Sequence, residues 1–132
     1  MNSLQQSIHK LMLSILPFEE FRVGDIVSDN IVTAIFLDFD EDGDIVGFDH
    51  EHKTSLSLTN EYTKFISRDW TLNDLLMAFQ NVRKFHTTLQ ITNKGYLEYW
   101  EMEDCKWQVD FDLTKGVLEQ SEEVLQKIGE IL

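Results

Sequence analysis

The sequence predicts a single α+β domain spanning residues 1–132: an N-terminal helix, an antiparallel β meander, a central helix, a second set of antiparallel strands and a C-terminal helix. Three observations carry this expectation. Apolar residues recur at helical spacing near both ends and in the middle of the chain. Between those segments lie β-branched or alternating runs, broken by short polar stretches such as SDN, DEDG and HEHK. No linker or internal repeat divides the 132 residues, a length at which one domain buries about two thirds of its unfolded surface.

The first helix is expected from about Ser3 to Leu16, with Leu4, Ile8, Leu11, Met12, Ile15 and Leu16 on its apolar face, Asn2 or Ser3 as cap and Pro17 as terminator. From Phe21 the period changes, and FRVGDIV, IVTAIFLDF, DIVGFDH and TSLSLT read as the strands of the meander. The central helix is placed at about residues 72 to 85. Thr71 and Asp74 have capping-box spacing, and Leu72, Leu75, Leu76, Phe79 and Val82 form one face. TTLQIT, YLEYWEM and KWQVDFDL then read as three strands, the first two joined by Asn93, Lys94 and Gly95. The last helix is expected from about Ser121 to Leu132, with Glu122 and Glu123 at its positive end and Val124, Leu125, Ile128, Ile131 and Leu132 facing the core.

Charge is the strongest compositional signal. The chain carries 24 acidic residues against 11 basic ones, a formal net charge of −13. Such a surface repels nucleic acid and anionic membranes, so direct nucleic-acid or membrane binding is not expected, and a protein with a basic surface is the natural partner. The N-terminal segment lacks a basic start and a continuous apolar block, which predicts a soluble, cytoplasmic protein. Cys105, the only cysteine, leaves no intrachain disulfide to form.

Residues 38 to 49, DFDEDGDIVGFD, fit the calcium-loop pattern, with Asp38, Asp40 and Asp42 at positions 1, 3 and 5, Gly43 at 6 and Asp49 at 12; Asp44 adds a further carboxylate. Asp in place of Glu at position 12 shortens the reach, and strand-like flanks stand where an EF-hand has helices. The preferred reading is a hairpin turn made by Glu41, Asp42 and Gly43. The alternative is a weak divalent-cation site for calcium, built from Asp38, Asp40, Asp42, Asp44 and Asp49. His50 and His52, two apart, would share one face of a strand, yet two ligands do not make a zinc site. His9 and His86 stand singly on or beside helices and are expected to face solvent. Cys105 has Lys106 beside it but Glu103 and Asp104 opposing, and no partner base is indicated. Tyr96, Tyr99, Trp100 and Trp107 read as cross-strand or core packing rather than a stacking face. No phosphate-binding glycine pattern, HExxH, GxSxG or CxxC occurs, so no enzyme is expected.

The run FISRDWTLNDLLMAF, with WQVDFDL and LEQSEEVLQKIGEIL after it, resembles a group of small uncharacterised proteins encoded by phages and prophages. Arg68, Leu72, Asp74, Leu76, Ala78, Gln120, Ser121 and Leu132 are the matching positions, whereas Ser67, Asp69 and Trp70 depart from the usual Gly, Pro and Ile. The resemblance covers about the last 70 residues, and more loosely the opening FEEFRVGDIV. It implies a shared fold and a phage connection but transfers no active site.

Together these readings predict a non-catalytic acidic interaction protein that binds a host protein, with nucleic-acid mimicry as one mode. Asp38 to Glu51 contains seven acidic residues and no Lys or Arg, and Glu98 to Asp112 contains six against Lys106 alone. The candidate surface is Asp38, Asp40, Glu41, Asp42, Asp44, Asp49 and Glu51 on one edge, with Glu98, Glu101, Glu103 and Asp104 on the other. A solvated acidic surface serving only solubility is the competing explanation.

Overall fold

The computed structural model describes all residues from Met1 to Leu132. In chain order the elements are α1 (Ser3–Ile15), β1 (Ile26–Ser28), β2 (Thr33–Phe39), β3 (Ile45–Asp49), β4 (Thr54–Leu58), a 3₁₀ turn at Asn60–Tyr62, β5 (Lys64–Ser67), α2 (Leu72–Val82), β6 (Thr87–Ile91), β7 (Tyr96–Glu101), β8 (Asp104–Asp110), a 3₁₀ turn at Val117–Glu119 and α3 (Glu122–Ile131). This is the expected α+β order of three helices and two antiparallel sheets. The chain forms two compact units, Met1–Pro17 with Trp70–Leu132, and Phe18–Asp69. No helix is long and apolar enough to cross a membrane.

In the unit of residues 1–17 and 70–132, each helix starts where a short polar side chain can satisfy an orphan backbone donor. Asn2 caps α1 and Thr71 caps α2, both with a reciprocal capping box, and Ser121 caps α3. The three helices bury Ile8 and Met12, then Leu75, Ala78 and Phe79, then Val124, Leu125 and Ile128, with Leu89, Leu97 and Val109 of the sheet β6-β7-β8 in the same cluster. At its centre is Trp70, fully buried. Its indole N–H donates to His9 Nδ1 at 3.1 Å, and its carbonyl accepts from the Val117 amide at 2.6 Å. The segment before α2 is thereby tied to α1 and to the approach to α3.

Two details of this unit differ from expectation. The central helix stops at Val82, because Arg83 adopts ψ 142° and the chain reverses through His86 at φ 58°. A reversal made without glycine left no mark in the sequence. Its face is also rotated: Leu75, Ala78 and Phe79 are buried, while Leu72 and Leu76 are half-buried and pack on the cluster. The loop between β8 and α3 is organised by Gln120. Its Nε2 donates to the carbonyls of Asp112 at 2.8 Å and Gly116 at 3.2 Å, and its Oε1 accepts from the Asp112 amide at 2.9 Å.

The unit of residues 18–69 is a five-stranded sheet in the order β4-β3-β2-β1-β5. Strand β5, KFIS, was not expected: four residues give alternation too little length to register. It pairs with β1 through a bulge between Ile26 and Val27. The expected first strand shortens to Ile26–Ser28 because Arg22 to Asp25 form a turn around Gly24 at φ 95°. Val27, Ala34, Phe36, Ile45 and Leu58 make the core. Beside it runs a row of rings, Phe65 on Phe18 at 4.7 Å, Phe18 on Phe21 at 5.2 Å, Phe21 on Phe36 at 5.4 Å and Phe36 on Phe39 at 5.1 Å between centroids, spacings at which aromatic pairs attract beyond their buried area. Arg68 lies over the Phe18 and Phe65 rings. It is 5% exposed and holds Asp25 with two bonds, Nε to Oδ1 at 2.9 Å and Nη2 to Oδ2 at 2.8 Å, and it also donates to the Glu20 carbonyl.

Removing one partner of a buried pair strands the other charge, so Arg68→Ala is expected to destabilise by about 3 to 5 kcal/mol. Phe79→Ala, which empties a core site, is expected to cost a similar 3 to 5 kcal/mol. Urea melts of the two variants check both values, and half-buried Leu76→Ala is expected to lose less than Phe79→Ala.

Candidate functional site

The acidic stretch forms the β2–β3 hairpin, and its turn has the expected Glu41-Asp42-Gly43 composition. The Asp40 amide donates to the Asp44 carbonyl at 2.8 Å and the Gly43 amide to the Asp40 carbonyl at 3.1 Å. Gly43 takes φ 83°, the left-handed conformation that closes a three-residue hairpin loop at least cost to glycine. The Asp40 carboxylate turns into the loop, where its Oδ1 accepts the amides of Asp42 at 2.9 Å and Asp44 at 3.0 Å. Asp44 Oδ1 in turn accepts the Asn60 amide at 3.1 Å, and the Asn60 side chain donates to the Gly43 carbonyl at 3.1 Å. The tip is therefore braced from within by two of its own aspartates.

The remaining carboxylates have different surroundings. Glu41 and Asp42 are exposed and form no ion pair, and Asp38 accepts only the neighbouring Phe39 amide, at 2.8 Å. Asp49 ends β3 opposite Thr54, whereas Asp38 pairs with Val46 near the tip. Its distance from the start of β3 is about 13 Å at the usual strand rise. The structure thus gathers Asp38, Asp40, Asp42 and Asp44 at one end of the hairpin and leaves Asp49 at the other. No group of three or more His, Cys, Asp or Glu side chains is gathered closely enough to hold a metal ion.

Asp49 belongs instead to the next turn. Its Oδ1 accepts the Glu51 amide at 2.9 Å, and its Oδ2 receives the His52 Nδ1 proton at 2.7 Å. His50 and His52 do not share a strand face, since residues 50 to 53 form the β3–β4 turn, closed by Lys53 at φ 52°. The His50 ring packs edge-on against Phe48. Glu51 is exposed in the same turn.

The second acidic edge divides between the faces of its sheet. Glu98, half-buried, accepts from Gln90 Nε2 at 2.8 Å and from the Trp100 indole at 3.3 Å. Glu101 accepts the Tyr99 hydroxyl at 3.2 Å, while Glu103 and Asp104 stand exposed in and beside the β7–β8 turn. Tyr99 stacks on Trp107 at 5.6 Å and meets Phe79 edge-on, so these rings are packing, as expected. Trp100 lies on the opposite face and pairs with Cys105, because the register shifts between Tyr99 and Trp100. Cys105 is exposed. His9, expected at a helix surface, is buried beneath Trp70. The Phe row and the Arg68–Asp25 pair gave no sequence signal, since their members are scattered from Phe18 to Arg68.

Compared with known proteins, the chain matches no family model, no curated protein and no solved structure at a significant level.

The Asp49 side chain, through its hydrogen bond and charge, raises the His52 pKa above the ordinary 6.5, and His52 lowers that of Asp49 below 3.8. The pair's contribution to stability is lost as pH rises through the raised His52 value, and again as pH falls through the lowered Asp49 value. An NMR titration of His52 is expected to give a midpoint above 6.5 that returns toward it in Asp49→Asn.

Proposed function

We propose that this protein is a non-catalytic interaction protein of phage or prophage origin, acting in the cytoplasm, whose acidic surface binds a host protein with a basic face, one that otherwise holds nucleic acid. The observation that supports the reading is the state of the hairpin tip. Asp40 and Asp44 spend their carboxylates on bracing the turn, and Glu41 and Asp42 are left exposed without a cationic partner. A carboxylate carried on a fixed turn loses little freedom when it meets a basic partner, and a cluster of them raises the encounter rate by long-range attraction. Glu103 and Asp104 offer the same chemistry on the β7–β8 turn, and the resemblance to phage-encoded proteins supplies the host.

The test begins with the tagged full chain in host lysate. A stoichiometric partner is expected to be retained at low salt and released near 1 M salt, where charges are screened beyond about 3 Å. Glu41→Lys with Asp42→Lys is expected to slow association with that partner about tenfold or more, leaving the melting temperature unchanged because neither side chain supports the fold. Glu103→Lys with Asp104→Lys tests the other edge. Retention that survives both pairs of reversals rules the acidic surface out.

A further inference from the structure

The acidity of the chain is interrupted in its middle. From Leu75 to Leu97 there is no Asp or Glu, and the charged side chains there are Arg83, Lys84 and Lys94. In the structure this stretch covers most of α2, the reversal after it, and β6 with its turn into β7. Strand β6 is an edge: the sheet order is β6-β7-β8, with no strand on its outer side. Its pairing with β7 runs without a register shift from Thr87 to Ile91, whereas the other edge of that sheet, β8, is broken by a bulge and carries Asp104 and Asp110. Bulges and charges are how sheet edges avoid new partners, and β6 has neither within it.

Beside the start of β6 stands Phe85, 88% exposed, on a reversal whose backbone is fixed. His86 at φ 58° makes the turn, its carbonyl accepts the Met102 amide at 2.7 Å, and its ring lies 3.8 Å from that of Phe85. Arg83, Lys84, Phe85, His86, Thr87 and Thr88 line a cleft of 580 Å³ without an acidic residue. Lys94 stands at the other end of the strand, in the turn between Thr92 and Tyr96.

We propose that the free edge of β6 is a docking site for an extended acidic segment of a partner protein. The segment adds as a strand beside Leu89–Ile91, since the Lys84 carbonyl already holds the Thr87 amide, an apolar side chain rests on Phe85, and its carboxylates face Arg83 and Lys84 at one end and Lys94 at the other. Main-chain hydrogen bonds supply affinity in this mode, and the flanking side chains supply selectivity. Charge complementarity selects an anionic partner. A polynucleotide has no peptide backbone with which to extend the sheet, so strand addition selects an acidic peptide. The proposal does not rest on the acidic surface discussed above, which recognises the opposite charge.

A fluorescein-labelled peptide of alternating valine and glutamate, seven residues long, is the probe, with the lysine-for-glutamate peptide and oligothymidylate as comparisons. The full-length protein is expected to bind the glutamate peptide with an affinity that falls as salt rises, and to show the largest amide shifts and new exchange protection along β6. Phe85→Ala, and Arg83→Glu with Lys84→Glu, are each expected to weaken binding at least about tenfold. Both variants change exposed positions, and equal melting temperatures confirm that they remain folded. The idea is overturned by no binding at millimolar peptide, by equal binding of the lysine peptide, or by shifts that avoid β6. Tighter binding of oligothymidylate would make the face a nucleic-acid site. A dimer of the free protein abolished by Phe85→Ala would make a second copy the occupant.

Discussion

Closure of the unit formed by residues 18–69 depends on one charge withdrawn from water. Arg68 can be buried only because Asp25 takes two of its N–H groups and the Glu20 carbonyl another, while its guanidinium lies over the Phe18 and Phe65 rings. Desolvating a guanidinium costs several kcal/mol, so the arrangement persists only when all these partners are in place together. That requirement fixes where the segment from Phe18 to Asp25 lies and holds the chain just beyond β5 beside it. It also places the first two rings of the phenylalanine row. Two residues further on, Trp70 has the equivalent role in the other unit with neutral groups, joining His9 and Val117 through its indole and carbonyl. A short stretch of chain therefore carries the organising residue of each unit.

The local elements were readable because their signals are local. Caps at Asn2 and Thr71, the Asp-Gly turn at Asp42 and Gly43, and the 3.6-residue spacing in α1, α2 and α3 each lie within a few residues. The misses share the opposite property. Strand β5 is too short to show a period and exists by pairing with β1, about forty residues earlier. The turns at His86 and Met102 take left-handed conformations without glycine, so nothing in the residue type announced them. His9 looked like a surface histidine because its reason for burial, the Trp70 indole, lies far along the chain. At the acidic hairpin the turn was legible, but which carboxylates brace it and which remain outside was not, since that depends on Asn60.

The aspartates divide by what their short side chains can reach. Asp25, Asp29, Asp40, Asp44, Asp49, Asp74 and Asp112 each accept a backbone amide at a turn or helix start. Asp29 and Asp112 are held below the ordinary carboxylate range, Asp29 by the Val32 and Ile31 amides and Asp112 by the Thr114 hydroxyl and amide. A glutamate, one methylene longer, rarely closes such local rings. Much of the negative charge is thus the accompaniment of turn geometry. Glu41, Asp42, Glu51, Glu103 and Asp104 are among the exposed carboxylates without such a backbone task.

Gln120 shows how far a loop can depend on the difference between an amide and an acid. Its nitrogen faces the carbonyls of Asp112 and Gly116, and its oxygen faces the Asp112 amide. Deamidation would leave the shape of the side chain almost untouched while turning its only donor into an anion aimed at those carbonyls. The loop would then open to let water in, or the new acid would keep its proton at neutral pH. Such a change would pass unnoticed by any measure of side-chain volume.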